Sequence, residues 1–339
     1  MRAAFGDVPG MSFVVPPEWA PHKAMWLGFP SHAELWQEDL EAAQAEVAAL
    51  ARALAGPGGE HVRVMTGHPG GEAVAREMLG GVPGIELVQG RFGDIWLRDT
   101  GPIFADGRAH GFRFNGWGGK YSLEHDDTVA HQIAEATGVP LVANGFILEG
   151  GAVDHDGAGT ILTTDQCLLN KNRNPGWTAA DAEDALAHSL GARKVLWLGE
   201  GLRNDHTDGH VDNLARFVAP ATVTIPVAWG RGDPNAEAYD DAAKRLASMT
   251  DANGQALKVI RIPSPGWIDG DDGPIPASHM NFLIANKAVI VPIYEKRPGE
   301  FAVEVLKQVF PDREVIGLPS IAILTGGGSF HCITQQEPA

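Results

Sequence analysis

Along all 339 residues, short β-branched or aromatic runs alternate with longer helical patterns, and this interleaving limits the fold more than any other feature. Strand-like runs include HVRVMTG from His61, KVLWLG from Lys194, ATVTIPVAW from Ala221, LKVIRI from Leu257 and KAVIVPIY from Lys287. Two helices carry their own start signals. Ser31-His-Ala-Glu34 reads as a capping box opening an Ala/Glu-rich run that ends at Gly56-Pro57, and Thr178-x-x-Asp181 opens a second that ends at Gly191. Further helices are expected over 71–80, 124–137, 236–249 and 302–311. The chain therefore belongs to the α/β class. Strand signals outnumber helix signals, so a repeated unit with two or three strands per helix fits better than plain βαβ winding. No Ser/Pro tract divides the sequence, and a single domain over residues 1–339 is expected.

Charge narrows the partners. Forty-three acidic side chains against 26 basic ones give a formal net charge of −17. Such a surface repels phosphate backbones and anionic lipid, which argues against nucleic acid and membrane partners. The start, MRAAFGDVPGMSF, lacks the apolar core of a signal peptide, and no stretch approaches about 18 uninterrupted apolar residues. Two distant cysteines, Cys167 and Cys332, make neither a disulfide framework nor a CxxC pair. A cytoplasmic protein with reduced thiols is the expectation. No GxxxxGK[ST] or strand-linked GxGxxG is present, so nucleotide binding is not indicated.

Five segments place ionisable or aromatic residues in apolar, glycine-bounded surroundings. In Asp94-Ile-Trp-Leu-Arg-Asp-Thr-Gly-Pro102, a strand would put Trp96 and Arg98 on one face and Asp99 on the other, whereas a bend would bring Trp96 and Asp99 together. A solvated ion pair at a strand end is the plainer alternative. In Leu148-Glu-Gly-Gly151, Glu149 stands where two glycines allow a sharp turn, as an ordinary surface glutamate also would. In Asn204-Asp-His-Thr-Asp-Gly-His-Val-Asp-Asn213, His210 and Asp212 are two apart, so a strand would deliver both to one side. The same His/Asp density raises a metal-site reading, although no HExxH-like spacing appears. In Thr325-Gly-Gly-Gly-Ser-Phe-His-Cys332, the cysteine follows a glycine turn, the setting of a presented nucleophile, whereas Cys167 reads as an ordinary packed thiol. The loop Asn115-Gly-Trp-Gly-Gly-Lys-Tyr121 offers Trp117 as a substrate-binding residue on a mobile flap, or as the anchor of an exposed turn.

One thiol, one imidazole and several carboxylates suggest a particular chemistry. A cysteine protease gains nothing from two carboxylates facing its substrate. A guanidinium does, because carboxylates pair with it in a fork, and its charge favours a neighbouring thiolate.

Taken together, DIWLRDTGP, FNGWGGKY, LEGG, TTDQCLLNKNRNP, DGHVDN and GGGSFHCITQQEP resemble the agmatine deiminases, within the peptidylarginine-deiminase-like guanidino-modifying enzymes. The resemblance runs nearly end to end, with all six motifs in order. It implies a pseudo-fivefold α/β-propeller of ββαβ-type units without metal or organic cofactor. It also implies Cys332 as nucleophile, His210 as general acid/base, Asp99 and Asp212 as guanidinium-binding carboxylates, and Trp96 packed nearby. Glu149 matches the acid that holds the histidine and raises its pKa. The implied substrate is a small cationic guanidino compound, agmatine, released as N-carbamoylputrescine and ammonia. Asp154, His155 and Lys171 depart from the family pattern, which leaves room for a shifted substrate.

Alternatives remain open at this point: the same chemistry on free, peptidyl or methylated arginine, amidino transfer to an amine, a metal-dependent hydrolase built on Asp205–Asp212, or a binding protein with a degenerate site. A homodimer is the default for a soluble enzyme of this size.

Overall fold

The computed structural model describes residues 13–270 and 273–339. The N-terminal stretch read above for a targeting signal lies almost entirely outside the described residues. Among the described residues, five sheets share one wiring. The first contains β1 (His22–Phe29), β2 (Val62–Thr66) and β3 (Ile85–Gln89). The second contains β4 (Ile103–Ala105), β5 (Arg108–Arg113) and β6 (Leu141–Ile147). The third contains β7 (Asp154–His155), β8 (Thr160–Thr164) and β9 (Lys194–Leu198), and the fourth β10 (Arg216–Ala219), β11 (Thr222–Val227) and β12 (Lys258–Pro263). After a small hairpin, β13 (Asp269–Gly270) with β14 (Gly273–Pro274), comes the fifth, with β15 (Leu283–Ile284), β16 (Ala288–Ile293) and β17 (Glu314–Pro319). The C-terminal strand β18 (Thr334–Pro338) returns to the first sheet and lies antiparallel to β1.

In each sheet an antiparallel pair is followed by a parallel neighbour, as β4–β5–β6 or β10–β11–β12. A parallel pair needs a crossover, and helices supply it: Leu40–Ala55, Val129–Thr137, Ala179–Leu190, Ala236–Leu246 and Lys296–Val309 in the five sheets, with Pro69–Leu79 serving the additional parallel pair β2–β3 of the first. The surplus of strands suggested two or three strands per helix, and the order strand, strand, helix, strand implied by the family resemblance occurs five times among the described residues, once split between the two ends of the chain. Buried clusters join neighbouring units. Leu162 and Leu196 of the third sheet pack with Phe217 and Ile225 of the fourth, and Ile262 of the fourth packs with Val289 and Val291 of the fifth. Strand β16, AVIVPI, is buried along nearly its whole length, as parallel strands covered on both faces are.

Local signals hold at Thr178, where both arms of the capping box form, and at Gly191, which ends that helix at φ 69°. Ser31 differs. Its hydroxyl donates to the Phe29 carbonyl, the helix starts after His32, and the long run begins only at Leu40, beyond a break where Gln37 takes φ 47°. Among the described residues no helix is long and apolar enough to cross a membrane.

Candidate active site

The turn that leads into the opening strand of each unit carries polar residues. Asp99 lies in the helical turn Leu97–Thr100 before β4, and Glu149 precedes the 3-10 turn Gly150–Ala152 before β7. His210 and Asp212 lie at the 3-10 turn Val211–Asn213 before β10, and Cys332 in the turn before β18. The strand geometry expected for Trp96–Asp99 and for His210–Asp212 is thus replaced by tight helical turns. A turn aims neighbouring side chains into one space as well as a strand face does, so the gathering survives although its cause differs.

The gathering is close. The Gly151 N–H donates to Asp99 Oδ1 at 2.9 Å. A Cβ on Gly151 would lie 2.5 Å from His210 Nδ1, 2.9 Å from Asp99 Oδ1 and 3.1 Å from Asp212 Oδ2, so three polar atoms converge on a space that only glycine leaves open. His210 Nδ1 is 3.7 Å from Asp99 Oδ1, and its Nε2 is 4.0 Å from Glu149 Oε2. Cys332 Sγ is 3.6 Å from Asp212 Oδ2 and is 4% exposed. Both ring nitrogens of His210 and Asp212 Oδ1 are buried without a hydrogen-bond partner among the described residues. Buried polar atoms are nearly always satisfied, so unmet ones on His210 and Asp212 point to a polar ligand.

The aromatic loop closes over this space. Trp117 Nε1 donates to Asp99 Oδ2 at 2.9 Å, and the indole is buried, with Phe114 and Tyr121 edge-on to it. Tyr121 reaches His206 Nδ1 at 2.8 Å and Lys120 pairs with Asp208 at 2.6 Å, tying the loop to the segment that carries His210. The anchored alternative of the sequence reading therefore describes this loop. Trp96 packs against Gly328 beside Cys332, but its indole N–H donates to Asp94, so Trp117 rather than Trp96 is the tryptophan bonded to Asp99.

Several supporting residues were not singled out from the sequence. Arg173, inside NKNRNP, donates to Glu149 at 2.6 Å and to Asp208 at 2.8 Å. His331 reaches Asp212 Oδ2 with Nδ1 at 2.8 Å and Glu18 with Nε2 at 3.3 Å. Arg216 joins Glu18 to Asp154, so the atypical Asp154 serves packing behind the site. Lone arginines and histidines in these stretches gave no signal of such pairing, because their partners lie dozens to hundreds of residues away.

Burial dominates the electrostatics. It pushes the Asp99 carboxyl well above the usual carboxylate range, with the charges of Asp212 and Glu149 adding to the effect. It raises Glu149 too, against the pull of Arg173. For Asp212, burial is opposed by the hydrogen bond and charge of His331, and the net direction is down. Burial lowers His210 to about 3 despite Asp212. The Cys332 thiol is raised well above its ordinary value by burial, then by Asp212 and Asp99. The expectation that Glu149 charges His210 is thus corrected for the free protein: their contact is 4.0 Å, and Glu149 is committed to Arg173. The site in this state has a neutral imidazole, a thiol and buried carboxyl groups whose ionised forms a bound cation would favour.

The metal reading does not converge where the sequence placed it. Asp205 binds the Thr207 backbone and hydroxyl, and Asp208 is paired with Lys120 and Arg173. Among the described residues, Glu149, Cys167 and His210 do offer ligand atoms within 4.8 Å of one another, but the Arg173 cation at Glu149 opposes a metal ion there.

A family model for Porphyromonas-type peptidyl-arginine deiminases matches residues 14–338. The agmatine deiminase of Ectopseudomonas mendocina is 38% identical over 96% of each chain. The structure of the agmatine deiminase of Enterococcus faecalis superposes with a TM-score of 0.90, at 34% identity over 96% of each chain. An amidinotransferase from Microseira wollei, 12% identical with a TM-score of 0.57, shares the α/β fold alone. Fold and relatives define an enzyme that hydrolyses a carbon–nitrogen bond of an amidine group. The chain belongs to the Porphyromonas-type peptidyl-arginine deiminase family.

Proposed function

We propose that this enzyme hydrolyses agmatine to N-carbamoylputrescine and ammonia through a covalent thiouronium on Cys332. The observation that carries this reading is the convergence of Asp99, Asp212 and His210 above Gly151, with unmet polar atoms and the Cys332 sulfur beside them. The five units are read as blades of a pseudo-fivefold propeller in one domain, with the site at their common centre.

The guanidinium enters between Asp99 and Asp212, whose ionised forms its charge stabilises. Neutral His210 takes the thiol proton, and the Cys332 thiolate attacks the guanidinium carbon. The imidazolium returns that proton to one amino nitrogen, the carbon–nitrogen bond breaks, and ammonia leaves a thiouronium. His210 then deprotonates water, hydroxide adds to the carbon, the carbon–sulfur bond breaks as the carbonyl forms, the departing sulfur takes up the hydroxyl proton, and the imidazolium returns its proton to solvent. Glu149, held by Arg173, steadies the imidazole, and Trp117 orients Asp99 and excludes water. No metal or organic cofactor takes part.

Agmatine is favoured over free arginine because the relatives matched along nearly the whole chain are agmatine deiminases. Of the cations near the site, Arg173 and Lys120 are ion-paired, while Arg98 Nη2 has no partner among the described residues. A role in putrescine supply, a cytoplasmic setting, a homodimer, and no nucleic acid or membrane partner complete the reading.

The test is ammonia release from agmatine, arginine and a peptidyl-arginine substrate, by wild type and Cys332→Ala, with a chelator present. Agmatine-selective, chelator-resistant release that the variant lacks supports the reading. Activity surviving in Cys332→Ala, or lost to the chelator, overturns it.

A further inference from the structure

The five-unit wiring makes the turns before β4, β7, β10, β15 and β18 equivalent. Four of them bring Asp99, Glu149, His210 with Asp212, and Cys332 to the site. The remaining turn, His279–Asn281 before β15, ends in a fully buried asparagine. Asn281 Oδ1 accepts the backbone N–H groups of His331 at 2.9 Å and Cys332 at 3.2 Å. Only the oxygen of the amide can accept, so these two contacts decide which way round the amide lies. Its nitrogen then faces the other side, donating to Asn213 Oδ1 at 3.0 Å and to Cys332 Sγ at 3.1 Å. Asp212, 3.6 Å from the same sulfur, resists negative charge there. An N–H aimed at the sulfur favours it.

We propose that Asn281 is a further catalytic residue of the reaction, its side-chain N–H stabilising the charge on the Cys332 sulfur when the thiol gives up its proton and again when the sulfur departs. The proposal rests on Cys332 being the nucleophile. The amide needs no proton transfer of its own and no reorganisation, because the backbone of the nucleophile's own turn holds it in place.

Alkylation by iodoacetamide, quantified at Cys332 by peptide mass spectrometry across pH, reads thiolate formation without requiring turnover. Asn281→Ala should alkylate about tenfold more slowly near neutral pH, the size expected for one lost hydrogen bond to a charged group, and approach the wild-type rate in alkali. Its kcat should fall in parallel with KM little changed. Asn281→Asp keeps the oxygen that anchors the two backbone N–H groups but turns an acceptor towards the sulfur, so it should fold and alkylate at least as slowly as Asn281→Ala. Wild-type alkylation curves in Asn281→Asp overturn the proposal and leave Asn281 a strut; that variant also decides the matter if Asn281→Ala fails to fold. Ammonia release surviving in Cys332→Ala is a different result, refuting the nucleophile itself.

Discussion

Gly151→Ala is the most economical way to test whether the reaction takes place where the polar atoms converge. Gly151 does not need the left-handed backbone, so alanine brings no φ strain, only one methyl. That methyl would lie 2.5 Å from His210 Nδ1, whereas ordinary van der Waals contact begins near 3.4 Å, so the imidazole must recede by roughly 0.9 Å. Overpacking of this kind costs about 1–3 kcal/mol of stability, which a chain of ordinary stability survives. A misplacement near 1 Å costs about 100-fold in rate, or about 2.7 kcal/mol of barrier. The assay is kcat for ammonia release well below the melting temperature, beside Gly145→Ala as control. Gly145 lies exposed on β6 with nothing within 4 Å of its would-be Cβ. The expected outcome is a loss of about two orders of magnitude in Gly151→Ala and none in Gly145→Ala. A folded Gly151→Ala protein within about threefold of wild type would mean that the space between His210, Asp99 and Asp212 is not where substrate sits.

Three further outcomes follow from other contacts. Trp117→Phe keeps the ring against Phe114 but removes the N–H that Asp99 accepts, so kcat/KM should fall about tenfold; an unchanged value sinks the assignment of that bond. Arg173→Met leaves Glu149 buried without its cation and should lower stability in urea by about 3–5 kcal/mol, and a loss below about 1 kcal/mol contradicts it. Asp126 is lifted to about 7 by burial, with Oδ2 unpartnered among the described residues. A native carboxyl that holds its proton more tightly than the unfolded chain does makes stability fall as pH rises from the ordinary carboxylate range to about 7. Asp126→Asn should lack that fall, seen as a gain on wild type between about pH 5 and about pH 8 in urea midpoints, and parallel midpoints refute it.

Local chemistry wrote much of this protein into its sequence. Thr178 and Gly191 mark their helix because caps act within one turn, and the strand-rich interleaving already implied two or three strands for each helix. The motifs around Asp99, Glu149, His210, Asp212 and Cys332 named residues that the structure does bring together. Other features depended on distance. Ser31 had the letters of a cap but bonds back to Phe29, and the segment around Asp99 had the letters of a strand but coils, because packing outweighs propensity where the two differ. The pairing of Arg173 with Glu149, of His331 with Asp212, and of Asn281 with the Cys332 sulfur joins residues 24, 119 and 51 apart, and no local preference encodes such pairs. The charge state was decided the same way. The sequence shows a histidine among aspartates, which alone argues for a raised pKa, yet burial of His210 removes its water and drives the value down to about 3. Desolvation belongs to the assembled fold, so only the tertiary structure could set it.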